Sequence, residues 1–326
     1  MDRDCSRIFR NVFWIITKMY RFLTKRYFKT FSTFVSLFKY NSFCTGRDMT
    51  KTMIKLSILI FCIFTGNILQ MKAQKLPSNM GAAESAMGGV GVASQDFWSG
   101  ANNQAALGFN KDWGAGFYYE NRFLTKELSL NALSLVMPTK KGSFVTNLSY
   151  FGYSQYNEMK VGLGYGMALS KRFAVGVQMD YLHTSIGNNY GSQGIFTFEM
   201  GIMAQLTDDV SLGAHVFNPI QAKLNDYNEE KTPSLLKLGL QWKLDENFTA
   251  AAEVQSDIDH AMVFCGGLEY RIKEILYTRI GLSNNPNIFS FGVGLKMNSF
   301  QLDFSSSMHQ TLGYSPQIAL IYLIHK

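Results

Sequence analysis

Five histidines could bind metal or move protons: His183, His215, His260, His309 and His325. None stands at a His-x-x-x-His or His–carboxylate spacing that would grip a metal, so they read as isolated polar or interfacial positions. No metal and no cofactor is expected. Ser305, Ser306, Ser307 and His309 come nearest to a nucleophile with its base. No helix or glycine elbow is there to activate a serine, and no enzyme is expected. Gly162-x-Gly164-x-Gly166 has the outline of a phosphate loop but lies inside an alternating apolar segment. Its glycines are read instead as room on one face, for an inserted segment or a ligand. The remaining candidates are ionisable: Glu253, Glu269, Arg271, Arg279, Lys296 and Asp303. Placed on the inward face of neighbouring strands, they could pair across the ladder, close a pore, hold an inserted segment, or line a path for a polar solute.

The elements that must place these residues alternate with period two, as strands do, rather than with the helical 3.6. In residues 159–170, Met159, Val161, Leu163, Tyr165, Met167 and Leu169 oppose Lys160, Gly162, Gly164, Gly166, Ala168 and Ser170. Leu236, Leu238, Leu240 and Trp242 likewise oppose Lys237, Gly239, Gln241 and Lys243. Fourteen such segments are predicted: 113–123, 127–138, 142–152, 156–170, 173–184, 193–206, 210–218, 234–244, 248–256, 262–272, 275–283, 288–297, 299–308 and 315–325. Tight connectors (139–141, 171–172, 207–209, 245–247, 273–274, 298) mostly alternate with longer polar ones (185–192, 219–233, 310–314). All six prolines fall outside the expected strand interiors.

A β-sandwich would also alternate, but it would show water a face of Gly, Ala and Ser and give no reason for the turn and loop asymmetry. In a transmembrane barrel the apolar face meets lipid, the small and polar face lines the lumen, and no backbone group goes unpaired. The expectation is an all-β, fourteen-stranded antiparallel barrel over 113–326. Trp113, Tyr118, Tyr119, Phe123, Tyr150, Tyr153, Tyr156, Tyr270 and Tyr322 are expected in the aromatic girdles. Met159, Met167 and Met179 follow the lipid-facing phase.

Composition agrees. With 47% hydrophobic and 14% aromatic residues the chain is not of the disordered kind, and no apolar run long enough for a membrane helix recurs. The net charge of +7 sits entirely in residues 1–48, which hold ten Lys/Arg against three Asp. Residues 74–326 carry 18 basic and 21 acidic side chains, which removes a nucleic-acid reading. Residues 49–73 have the layout of a signal peptide: Lys51 and Lys55, an apolar stretch 56–69, and Met71-Lys72-Ala73 before Gln74. Residues 1–48 then read as an upstream extension, with translation starting at Met49 or Met53, or else, from a start at Met1, as a basic, Phe-rich surface helix. Cleavage after Ala73 leaves Cys265 as the one cysteine, so no intrachain disulfide is expected. Residues 74–112 lack the alternation, and starting on the periplasmic side they can fold back into the lumen.

Over 74–326 the sequence resembles the FadL-like outer-membrane barrels and, within them, the PorV/PorQ-type proteins linked to type IX secretion. Residues 82–93 (AAESAMGGVGVA, with Gly88 and Gly89) and 103–107 (NQAAL: Asn103, Gln104, Ala105, Leu107) match that family's Ala/Gly-rich opening and Asn-Pro-Ala-x-Leu-like element. Gln104 stands where the family has Pro. Residues 216–224 with 233–241 resemble its long loop and following strand. The chain departs from the usual terminal aromatic by ending IALIYLIHK. The resemblance implies an N-terminal hatch (74–112) inside a monomeric barrel in the bacterial outer membrane. It also implies one of two roles: docking of secreted or surface-attached proteins, chiefly through loop 219–233, or FadL-like conduction of a hydrophobic small molecule such as a long-chain fatty acid. Docking is the leading expectation. A conduit needs an apolar pocket beside the hatch, whereas docking needs an occluded lumen and ordered outer loops.

Overall fold

The computed structural model of the chain describes residues 79–187, 191–221, 233–257 and 261–324. The leader segments, residues 74–78, His260, His325 and residues 222–232 of the long loop lie outside the described residues.

Fourteen antiparallel strands close into one barrel, each paired with its neighbours in the chain, and β1 with β14. They are β1 (Trp113–Asn121), β2 (Ser129–Pro138), β3 (Ser143–Tyr153), β4 (Tyr156–Ser170), β5 (Phe173–Ile186), β6 (Gly191–Gln205), β7 (Val210–Phe217), β8 (Leu235–Lys243), β9 (Phe248–Asp257), β10 (Val263–Ile272), β11 (Leu276–Ser283), β12 (Ile288–Met297), β13 (Phe300–His309) and β14 (Gly313–Ile324). Closure is made by a ladder running from Trp113↔Ile324 to Glu120↔Gln317, so neither end strand keeps a bare edge along that stretch. No described helix is long and apolar enough to cross a membrane.

The alternation is used as lipid and lumen demand. Phe117, Leu133, Leu163, Val177, Phe291, Val293, Phe304 and Leu320 are exposed on the outside. Their sequence neighbours Tyr118, Ala132, Ser134, Gln178, Asp303, Ser305 and Ala319 are buried. Large apolar side chains outside and polar ones inside invert the distribution of a water-soluble protein. In the turn between β10 and β11, Lys273 and Glu274 both take positive φ, 50° and 62°, as a tight hairpin of matching twist requires.

Two expectations are corrected. Pro316 lies within β14 rather than outside it; at that point the ladder with β1 has already ended at Gln317, and β14 keeps β13 as its partner. Tyr118 is not a girdle residue. It shares the inward phase of Gly116 and Glu120, and its side chain is buried, while Trp113, Tyr150, Tyr153, Tyr270 and Tyr322 are exposed on the outer surface.

Residues 79–112 pack against the inward faces of the strands. They form helix α1 (Ala82–Ala86), a glycine turn, helix α2 (Ser99–Asn102) and a 3-10 turn (Gln104–Gly108) that leads into β1. Gly88 and Gly89 make the turn with φ of 80° and 86°, a conformation that costs glycine least.

Candidate lumenal site

The N-terminal segment and the wall are fitted through glycine. A Cβ on Gly166 would stand 2.0 Å from the Gln104 carbonyl, on Gly176 2.3 Å from Gln104 C, and on Gly213 2.1 Å from the Val92 carbonyl. On Gly281 it would meet Gly88 N and Met87 C at 2.1 Å. All four contacts are to backbone, which cannot swing aside, so main chain lies directly on main chain. Of the three glycines singled out in β4, Gly164 and Gly166 face Gln104, whereas Gly162 faces Gln178 and Asp180 of the next strand.

Polar groups then fix the segment in place. Glu253 on β9 accepts hydrogen bonds from Gly91 N (2.8 Å) and Val92 N (2.9 Å), and its other oxygen accepts from Gln255 Nε2 (3.0 Å). Asn103 Nδ2 donates to the carbonyls of Val92 (2.7 Å) and Ile202 (3.2 Å), while its Oδ1 caps the 3-10 turn at Ala105 N. Gln104 Nε2 donates to Glu199 Oε2 at 2.6 Å, and Lys237 Nζ donates to Asn79 Oδ1. Ala105 and Leu107 are buried beside them.

The six ionisable candidates do not form one network. Arg279 joins Glu269 and Asp303, each at 2.6 Å, and Gln301 Nε2 adds a bond to Asp303 at 2.7 Å. Glu253 is occupied by the N-terminal segment. Arg271 reaches out to the Glu246 carbonyl in a turn (2.6 Å), and Lys296 is exposed at the end of β12. The register explains the division: Glu269↔Arg279 are direct partners, while Arg271 and Lys296 sit at strand ends where water competes.

A second cluster went unread in the sequence. Lys160 on β4 pairs with Glu199 on β6 and, at 3.5 Å, with Asp180 on β5. His215 Nε2 lies 3.0 Å from Glu199, and Gln178, Asn147 and Ser134 continue the chain of hydrogen bonds to β2. All are inward-phase residues, so the rule that picked out β9–β13 would have found them too. The serines near His309 go elsewhere: Ser305 Oγ donates to Gln317 and Ser307 contacts Ser290, while His309 Nδ1 faces Thr311 and Leu312 in a turn. Among the described residues no three His, Cys, Asp or Glu side chains are grouped to hold a metal.

One side of the lumen is apolar. Between the N-terminal segment and the β14–β1–β2 wall, Ala82, Trp98, Tyr118, Leu130, Ala132, Ala319 and Ile321 form a buried cluster, joined by Met80, Phe97, Phe151 and Leu323. Phe97 meets Trp98 edge-on at 5.4 Å, and Trp98 meets Tyr118 in the same way at 5.9 Å. At the turn end, a polar cavity of about 560 Å³ is lined by Lys243, Arg271, Glu269 and Tyr277 among others.

No protein-family model matches the sequence, and no curated protein does. Solved structures do match the fold. The Ralstonia pickettii toluene transporter TbuX superposes with a TM-score of 0.57 at 13% identity, over 76% of this chain and 97% of its own. The Pseudomonas putida toluene transporter TodX gives 0.57 and 13%, over 78% and 99%. The chain is thus an all-β, closed fourteen-stranded barrel similar in fold to these transporters.

Proposed function

We propose that this chain is an outer-membrane conduit for a small hydrophobic molecule, with residues 79–112 as the hatch that fills the lumen. One observation carries the reading: the apolar, aromatic seam between that segment and the β14–β1–β2 wall. It offers a guest carbon surface beside the segment that must shift to let it pass. The fold shared with two toluene transporters supports the same choice. The lipid-facing belt supports the membrane location. The docking role finds no such support: most of loop 219–233 lies outside the described residues, and the structural neighbours are carriers of small molecules.

The full chain, purified in detergent, should bind radiolabelled toluene saturably in equilibrium dialysis corrected for detergent alone. Trp98→Ala should weaken that binding at least about tenfold by removing the ring that spans the seam. No saturable binding by the folded barrel would overturn the conduit reading.

A further inference from the structure

The seam contains buried polar atoms that make no well-formed hydrogen bond. Both carboxyl oxygens of Glu84 and Nε1 of Trp98 are buried without a well-formed hydrogen bond, on residues only 2% and 1% exposed, although the Asp96 side chain lies close enough to act on the Glu84 carboxyl. The Tyr118 hydroxyl reaches only Ser85 Oγ, at a long 3.4 Å, and that hydroxyl already donates to the Gly81 carbonyl at 2.8 Å. The three side chains share one place. Trp98 and Tyr118 are in ring contact, and the Glu84 carboxyl and Trp98 Cβ both crowd Gly81, where an added Cβ would lie 1.9 Å from one and 2.9 Å from the other. Ala82, Leu130, Ala132, Ala319 and Ile321 supply only carbon around them. Donors and acceptors buried unpaired among carbon are costly, and a molecule that pairs them on arrival recovers that cost.

The charge state selects among guests. Burial and, after it, the Asp96 carboxylate push the Glu84 carboxyl well above the usual carboxylate range, and Asp303 acts in the same direction. Both effects favour the neutral carboxyl, which has one O–H to donate and one carbonyl oxygen to accept. Asp96 also repels an anionic guest.

We propose that Glu84, Trp98 and Tyr118 form a polar notch in the seam that selects a neutral hydrophobic molecule bearing a hydroxyl group, a phenol, over the bare hydrocarbon and over the carboxylate. This rests on the seam being the place where a hydrophobic guest binds. A hydroxyl both donates and accepts, and so can pair with the indole N–H and with the carboxyl's acceptor oxygen, which a methyl cannot do; a carboxylate only accepts, and it brings a charge into a dry site.

Three probes of one shape test it: p-cresol, toluene and p-toluate, dialysed against the full chain in detergent at neutral pH. p-Cresol should bind at least about tenfold tighter than toluene, and p-toluate more weakly than toluene. Glu84→Leu should bring p-cresol down to toluene's level while leaving toluene bound. Glu84→Gln, which keeps a donor and an acceptor, should hold the preference, and Trp98→Phe should reduce it. Equal binding of p-cresol and toluene by the wild type, as when buried water alone satisfies the notch, overturns the proposal and leaves the seam standing. A preference that survives both Glu84→Leu and Trp98→Phe also overturns it. If none of the three binds, the conduit reading fails with it.

Discussion

Replacing Glu253 tests how firmly the N-terminal segment is held. Its carboxylate takes two backbone N–H groups, Gly91 and Val92, at 2.8 and 2.9 Å in a buried setting. Hydrogen bonds to a charged acceptor contribute about 1.5–3 kcal/mol each and neutral ones about 0.5–1.5. Glu253→Gln keeps an acceptor and loses the charge, a difference of about 2 kcal/mol over the two bonds. Glu253→Ala leaves both amides buried and unpaired, about 4 kcal/mol in all, moderated by water entering the gap. At about 1.4 kcal/mol per factor of ten, the open population of the segment should rise roughly 30-fold in the first variant and several hundredfold in the second. Hydrogen exchange followed by mass spectrometry, on peptides spanning residues 87–95 of the folded barrel, reads that population directly. The order wild type, Gln, Ala is the signature. Exchange within about threefold of wild type in both variants, with the barrel intact, would refute the assignment of Glu253 as the holding group.

Gly281→Ala should unseat the turn at Gly88, because the added methyl would lie 2.1 Å from backbone at two points; protease sensitivity confined to residues 79–112 is the expected result. Val293→Arg on the outer face of β12 should cost about 2–4 kcal/mol in a bilayer, read as a lowered urea midpoint for the barrel in vesicles. Glu84 gives a pH dependence. Its folded value is raised above the ordinary 4.5, so the folded state keeps a proton that the unfolded chain sheds. Its contribution is full below that value and falls as pH rises towards the raised folded value, and Glu84→Gln should flatten the slope in thermal unfolding.

The barrel was legible because a strand's period is short and lipid enforces it: Leu163, Val177 and Val293 stand where the alternation puts them. Strand ends were less so. β5 runs two residues past its expected end, to Ile186, because its partner β6 continues to Gly191. Pairing of lumenal charges was not legible from phase alone. Phase placed Arg271 and Arg279 on the same face, but only the register with β11 and the proximity of a turn decided that one meets Glu269 and the other a backbone carbonyl. Tyr118 shows the opposite failure: residue type argued for the interface, whereas Gly116 and Glu120 on either side already fixed its direction inward. The notch of Glu84, Trp98 and Tyr118 has no one-dimensional signature, since α1, α2 and β1 bring it together from three elements.

The main-chain fit between Gly88 and Gly281, and between Val92 and Gly213, carries a lesson about assembly. The contacts that seat the first described residues lie more than a hundred positions downstream: 162 for Gly91 and Glu253, and 193 for Gly88 and Gly281. Until β7, β9 and β11 stand side by side, the cradle does not exist, and each such contact alone would close a long loop for little return. What the ribosome makes early is therefore what the molecule settles late, and the opening stretch must wait, unstructured by the wall, until the cylinder around it is nearly complete.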